Sequence, residues 1–257
     1  MIATADTMAV RLKQSPKPTR TLVCLGFCGG GTATYHSWIP ALPADVDLIA
    51  ICYPGREGRF AEEHAQTWSE LAADATRGVA SIANGTPYVL FGHSMGGWMA
   101  FDVTARLAAM GAPAPAALVV SACNAPDRGV TEQDRFLAQG QDDEELLDWM
   151  RTHGLLPEHV LSEPELVEMA VELMRADLRA RDSYAYAAGT RVDTPLQVFS
   201  GDRDPVIEDG VGSRWAGLTT GAFLHDVLPG GHFYTPDVWR NLPARIASLH
   251  PHAPTTF

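Results

Sequence analysis

No stretch of this 257-residue chain is apolar for the roughly 20 residues a membrane-crossing helix takes. Positive charge is also in short supply. Lys and Arg number 19 against 31 Asp and Glu, a formal balance of −12, so neither nucleic acid nor an anionic membrane is expected as a partner. There are only four cysteines, Cys24, Cys28, Cys52 and Cys123. Three fall in or at the ends of apolar runs, where a free thiol behaves as a small hydrophobe. Neither a disulfide framework nor a zinc site is expected, and a reducing cytoplasm is the expected compartment. The N-terminus lacks the apolar core of a secretory signal, since Asp6, Arg11, Lys13 and Lys17 are spread through it. With Ser15-Pro16-Lys17-Pro18 closing it, the stretch 1–19 is expected to be a flexible leader. There is no internal repeat and no low-complexity tract.

What the chain does have is apolar content, 46% of its residues, enough for one sizeable core over residues 20–257. Short continuous apolar runs predict strands at Thr21–Phe27, Asp47–Tyr53, Tyr88–Phe91, Ala117–Ser121, Leu196–Ser200 and Ala222–Leu228. Amphipathic patterns at Trp68–Ala83 and Met95–Met110 lie between some of them. Strands alternating with helices imply right-handed crossovers and a mostly parallel sheet with helices on both faces. Residues from about 127 to 186 break the alternation. They carry two helical patterns, Asp142–His153 and one opening at Ser162-Glu163-Pro164-Glu165, which reads as a capping box. This insertion is expected to lie as a lid over the carboxyl edge of the sheet. Between residues 132 and 182 there are 14 acids and 5 arginines, a balance of 5 − 14 = −9.

Chemistry enters at Gly92-His93-Ser94-Met95-Gly96, which fits G-x-S-x-G. A strand precedes it and a helix follows at once, so Ser94 is expected at a strained turn with its hydroxyl presented. A serine that merely caps the helix would need no glycine on either side. A serine hydroxyl needs a base, and the base an orienting acid. Asp204, in the turn after Leu196–Ser200, is the predicted acid, with Asp202 as competitor. His232, after Pro229-Gly230-Gly231, is the predicted base, and His225 competes from inside a predicted strand. The oxyanion is assigned to the backbone N–H of Met95, at a helix N-terminus, and of Cys28 in Phe27-Cys28-Gly29-Gly30-Gly31.

These residues are similar to those of the type II thioesterases that accompany polyketide synthases and non-ribosomal peptide synthetases, within the α/β-hydrolase fold. The resemblance runs from about residue 21 to 235. It includes Phe27-Cys28-Gly29-Gly30, Tyr53-Pro54-Gly55-Arg56 with Arg59, Arg175-Ala176-Asp177 with Tyr184, and Pro229-Gly230-Gly231-His232-Phe233. The family's triad falls on Ser94, Asp204 and His232. Gly26, Cys28 and Gly97 depart from the family's usual residues, which bears on acyl preference. The resemblance implies hydrolysis of acyl or aminoacyl groups from the phosphopantetheine arm of an acyl or peptidyl carrier protein. It implies no cofactor, because the substrate brings the arm, and a monomer is expected. The acidic insertion would repel an acidic carrier. Docking is therefore expected to rest on apolar contact and a local arginine among Arg151, Arg175 and Arg179. A general carboxylester hydrolase or lipase, a chain-terminating cyclase, and a non-catalytic binding protein of the same fold are the alternatives.

Overall fold

In the computed structural model, residues 5–83, 85–135, 142–156 and 158–250 are described. Seven strands form one sheet: β1 (Ala9–Lys13), β2 (Arg20–Leu25), β3 (Val46–Ile51), β4 (Tyr88–His93), β5 (Ala117–Ser121), β6 (Leu196–Gly201) and β7 (Phe223–Leu228). Their order is β1-β3-β2-β4-β5-β6-β7, parallel throughout except that β1 runs antiparallel to β3. The expected flexible leader over 1–19 is thus corrected, since residues 9–13 are an edge strand. Arg11 pairs with Asp47, and Lys13 Nζ donates to the carbonyls of Pro43 (2.6 Å) and Val46 (2.8 Å). These bonds fix a strand that carries two charges, Arg11 and Lys13, in five residues.

The central strands are apolar over most of their length because both faces are covered. Alternate residues go to opposite sides. Val23 and Leu25 join one buried cluster with Leu90, Leu118 and Val120. Leu22 and Cys24 join the other with Val89, Phe91 and Val119. The first face is covered by α1 (Trp68–Ile82), α2 (Met95–Ala109) and α4 (Pro164–Asp182), and the second by the 3-10 segment Thr32–Ala41 and the C-terminal turns. Between β5 and β6 stand α3 (Asp143–Thr152) and α4, while residues 136–141 and 157 of the insertion called at 127–186 lie outside the described residues.

Two local details differ from expectation. Helix α4 starts with Glu163 as N-cap and no side-chain cap bond, so the box read at Ser162 does not form. The box occurs instead on α1, where Thr67 and Glu70 cap each other's backbone groups. All four cysteines are buried and free. Among the described residues no helix is long and apolar enough to cross a membrane.

The order β3-β2-β4 means that the chain leaves β2 toward one edge and later returns on the other side. The loops after β2 and β4 therefore open side by side at the sheet's carboxyl end, where doubly wound sheets bind ligands.

Candidate active site

Ser94 sits where β4 gives way to α2, with φ +53 and ψ −124, a conformation a side-chain-bearing residue seldom adopts. Its N–H donates to the Ser121 carbonyl on the neighbouring strand (2.8 Å), and its own carbonyl accepts from Gly97 N–H (2.8 Å). The flanking glycines are a packing requirement. A Cβ on Gly92 would lie 1.8 Å from the Gly96 carbonyl oxygen, and one on Gly96 would lie 2.5 Å from that of Leu25.

Three side chains far apart in sequence meet at this turn. His232 Nε2 lies 3.0 Å from Ser94 Oγ, and His232 Nδ1 lies 2.9 Å from Asp204 Oδ2. A carboxylate only accepts, so the imidazole presents Nδ1–H to Asp204 and leaves the Nε2 lone pair to the serine hydroxyl. The Asp204 side chain is fully buried. Its second oxygen accepts from Val206 N–H at 3.0 Å. Such an arrangement can take the proton from a serine as it attacks a carbonyl carbon and return it to a leaving group.

The two competitors are occupied elsewhere. Asp202 Oδ1 accepts from Gly230 N–H (2.7 Å), and Asp202 N–H donates to the Leu228 carbonyl (2.8 Å), which ties the turn after β6 to the loop that carries His232. That bond to Gly230 also holds the Asp202 carboxyl below its ordinary range. His225 Nε2 lies 2.9 Å from Ser200 Oγ within the sheet. Cys28 and Met95, the residues assigned to the oxyanion, are neighbours, with Cys28 Sγ 3.5 Å from Met95 Sδ. Burial pushes the Cys28 thiol up to about 12, so it is no nucleophile.

Sequence reasoning missed what holds these loops. Asn124 Nδ2 donates to the Val206 carbonyl (2.8 Å), and Asn124 Oδ1 accepts from Glu208 N–H (2.9 Å), clamping the turn that bears Asp204. Arg56 and Asp177 form a buried, two-pronged ion pair at 2.6 and 2.9 Å. Burial pushes the Arg56 guanidinium down, but Asp177 beside it pushes it up and prevails. The helical pattern of α4 held a clue, because Asp177 lies between Met174 and Leu178 on the apolar face. The partner of Asp177, 121 residues upstream, gave no local sign.

A cavity of about 570 Å3 opens between the glycine-rich loop, the end of α3 and the loop after His232, lined among others by Phe27, Thr34, His153, Phe233 and Trp239. A groove of about 620 Å3 runs between α3 and α4. Arg151, Arg175 and Arg179 line it together with Leu147, Val167 and Val171. Arg175 is already paired with Asp143 at 2.6 Å.

His93, beside the serine, is fully buried with its ring 5.3 Å from that of His232. Its Nδ1 lies 3.0 Å from Ser121 Oγ, which in turn is 2.7 Å from the Tyr234 hydroxyl. Burial, and then the neighbouring His232, push the His93 imidazole well below its ordinary value. The folded state thus refuses a proton that the unfolded chain accepts below about pH 6.5. The stability that neutral His93 permits is complete above that pH and is lost as the pH falls through it. Burial also lowers His225, which adds a smaller loss of the same sign. The melting temperature is expected to fall from pH 7 to pH 5, and His93→Gln should flatten the slope. An unchanged slope in melts of the variant would remove His93 from this account.

A thioesterase domain model matches residues 20–248. The chain is 32% identical to a part of the AMB antimetabolite synthetase AmbE of Pseudomonas aeruginosa, over 90% of this chain but only 11% of that much longer protein. It is 28% identical to thioesterase PikA5 of Streptomyces venezuelae, over 90% of this chain and 81% of the relative. Among solved structures, the type II thioesterase BorB from the borrelidin biosynthetic cluster superposes with a TM-score of 0.81. It is 33% identical, with 96% of this chain and 99% of that one covered.

Proposed function

The chain belongs to the thioesterase family, among its type II members, and from that premise we propose that it hydrolyses acyl or aminoacyl thioesters from the phosphopantetheine arm of carrier proteins of a polyketide or non-ribosomal peptide synthase. The observation that supports this most is the pair of bonds at 3.0 and 2.9 Å that links Ser94, His232 and Asp204 at a strained turn. In this reading His232 takes the proton as Ser94 Oγ attacks the thioester carbonyl. The oxyanion forms against the N–H groups of Met95 and Cys28. Collapse breaks the carbon–sulfur bond, and the protonated imidazole returns its proton to the departing thiolate. His232 then draws a proton from water as that water attacks the acyl-enzyme carbonyl, and it passes the proton to Ser94 Oγ as the acyl carbon–oxygen bond breaks, which frees the serine hydroxyl and a carboxylic acid.

A thiolate is a weak base, so its expulsion asks little of a general acid. The reaction asks for no cofactor, since the arm arrives with the substrate. The departing sulfur must lie within reach of His232, and the cavity beyond Phe233 offers room for the arm on that side. The groove with Arg151, Arg175 and Arg179 is the surface we assign to the carrier, with α3 and α4 as the lid over the site. A reducing cytoplasm fits four buried free thiols, and a monomer fits the net charge of −12.

Carrier proteins loaded with acyl groups of varied length, set against matched oxygen esters, test this. The thioester is expected to be favoured by at least about tenfold in kcat/KM, or about 1.4 kcal/mol of transition-state binding. Equal turnover would make the protein a general esterase. No labelling of Ser94 by a fluorophosphonate would make it a binding protein.

A further inference from the structure

We propose that Arg56 and Asp177 are positioning residues that hold the oxyanion-binding loop in place and make its geometry depend on the seating of helix α4. The inference rests on the reading of Cys28 N–H as an oxyanion donor. Both side chains are about 95% buried. Stability alone is a poor reason to keep such a pair, because well-packed apolar residues often do as well or better in its place. The bonds the pair makes besides its own are more informative. Asp177 Oδ2 accepts from Gly29 N–H at 2.8 Å, and the Arg56 guanidinium donates to the Gly30 carbonyl at 2.8 Å. These are the two residues that follow Cys28.

The rest of the loop is braced as closely. Gly29 has φ +72, and a Cβ there would meet Met174 Cε of α4 at 3.0 Å. The Glu57 carboxylate accepts from Thr32 N–H (3.1 Å), Thr32 Oγ1–H (2.7 Å) and Ala33 N–H (3.2 Å). One side of the loop is therefore fastened to the turn after β3, through Arg56 and Glu57. The other is fastened to α4, through Met174 and Asp177. Arg56 is itself fixed by Asp177, so lifting α4 withdraws one bond from Gly29 and unseats the donor to Gly30 together. An oxyanion hole must stand ready before charge develops, and a shift of about 1 Å in a donor is costly. The loop thus holds its geometry only while α4 is seated against it. Neither residue touches the reacting atoms.

Asp177→Ala, Asp177→Asn and Arg56→Lys test this. Three measurements are needed: kcat and KM on an acyl-pantetheine thioester, the rate of Ser94 labelling by a fluorophosphonate, and the melting temperature. Asp177→Ala is expected to lower kcat by about 10- to 100-fold, short of the loss of a whole oxyanion donor, with KM changed by less than about threefold. Labelling should slow in parallel, and the pH midpoint of kcat should stay where it is in the wild type. Asp177→Asn keeps an oxygen for Gly29 N–H and should recover most of the loss, even where its melting temperature is no better than that of Asp177→Ala. Arg56→Lys keeps the charge but loses the fork. It should follow Asp177→Ala in kcat, and it carries the test if Asp177→Ala does not fold.

Variants that keep wild-type kcat and labelling at a temperature equally far below their melting points would overturn the proposal. So would losses that track melting temperature alone, with no recovery by Asp177→Asn. Labelling needs no thioester, so a wild-type protein that is labelled at Ser94 yet idle on thioesters would sink the proposed substrate and leave this test standing.

Discussion

Ser94→Ala is expected to lower hydrolysis of a carrier-bound thioester at least about a thousandfold, with KM changed little. The size of the effect follows from the arrangement of the site. Ser94 Oγ is the group facing His232 Nε2 at 3.0 Å. Cys28, whose thiol lies 3.5 Å from Met95 Sδ, is held protonated by burial. His232→Ala should cost about as much, and the double variant scarcely more, because members of one relay fail together. Asp204→Asn should cost about 10⁴-fold in kcat by a different route. An amide offers N–H groups to Nδ1, the ring takes the other tautomer, and Nε2 then carries a hydrogen where a lone pair is needed. Steady-state rates on one acyl-carrier substrate decide this. A Ser94→Ala protein with a tenth of wild-type activity would remove the serine from the chemistry.

Much of the fold was legible because buried parallel strands announce themselves as unbroken apolar runs. Six of the seven strands were read within about two residues of their ends. The exception, β1, reads Ala-Val-Arg-Leu-Lys, is short, has two charged residues in five, and has one neighbour only. Its stability comes from Asp47, Pro43 and Val46 on that neighbouring stretch, which no local pattern encodes. Ser94, Asp204 and His232 were legible because each follows a strand directly in a turn marked by Gly or Pro. Choosing Asp204 over Asp202 took one further inference from position, and the bond from Asp202 to Gly230 gives the physical reason the two differ. The supports were not legible. Asn124 reaches 82 residues ahead to Val206, and Arg56 reaches 121 residues ahead to Asp177. Sequence periodicity records which face of a helix is buried but not what a buried charge will meet there.

Gly92→Ala is expected to destabilise the protein by more than about 3 kcal/mol, beyond the usual range for overpacking, which for a chain of this size is about 6–12 °C or more in melting temperature. The added methyl would meet backbone on the far side of the turn, at 1.8 Å from the Gly96 carbonyl oxygen and 2.7 Å from Gly97 N. Backbone there has nowhere to go. Gly96 is itself pressed on β2, where its own Cβ would lie 2.5 Å from the Leu25 carbonyl oxygen, and Gly97 N–H is bonded to Ser94. Relief would have to open the turn and carry Ser94 away from His232, so activity should fall with stability. Gly97→Ala separates this cause from a general intolerance of alanine in the helix. Its Cβ would clash with Cys123 Sγ, at 2.3 Å, while Cys123 Cβ and the Gly92 carbonyl oxygen lie at an ordinary contact distance of 3.5 Å, and a side chain can be shortened. The double variant Gly97→Ala/Cys123→Ala should therefore regain most of what Gly97→Ala loses, whereas Cys123→Ala should do nothing for Gly92→Ala. Gly58→Ala, where a Cβ meets nothing within 4 Å, should stay within about 0.5 kcal/mol of the wild type. Thermal melts of the wild type and the five variants give the answer: a Gly92→Ala variant that melts like Gly58→Ala would mean that the turn has slack, and that the strain at Ser94 is not imposed by the glycines around it.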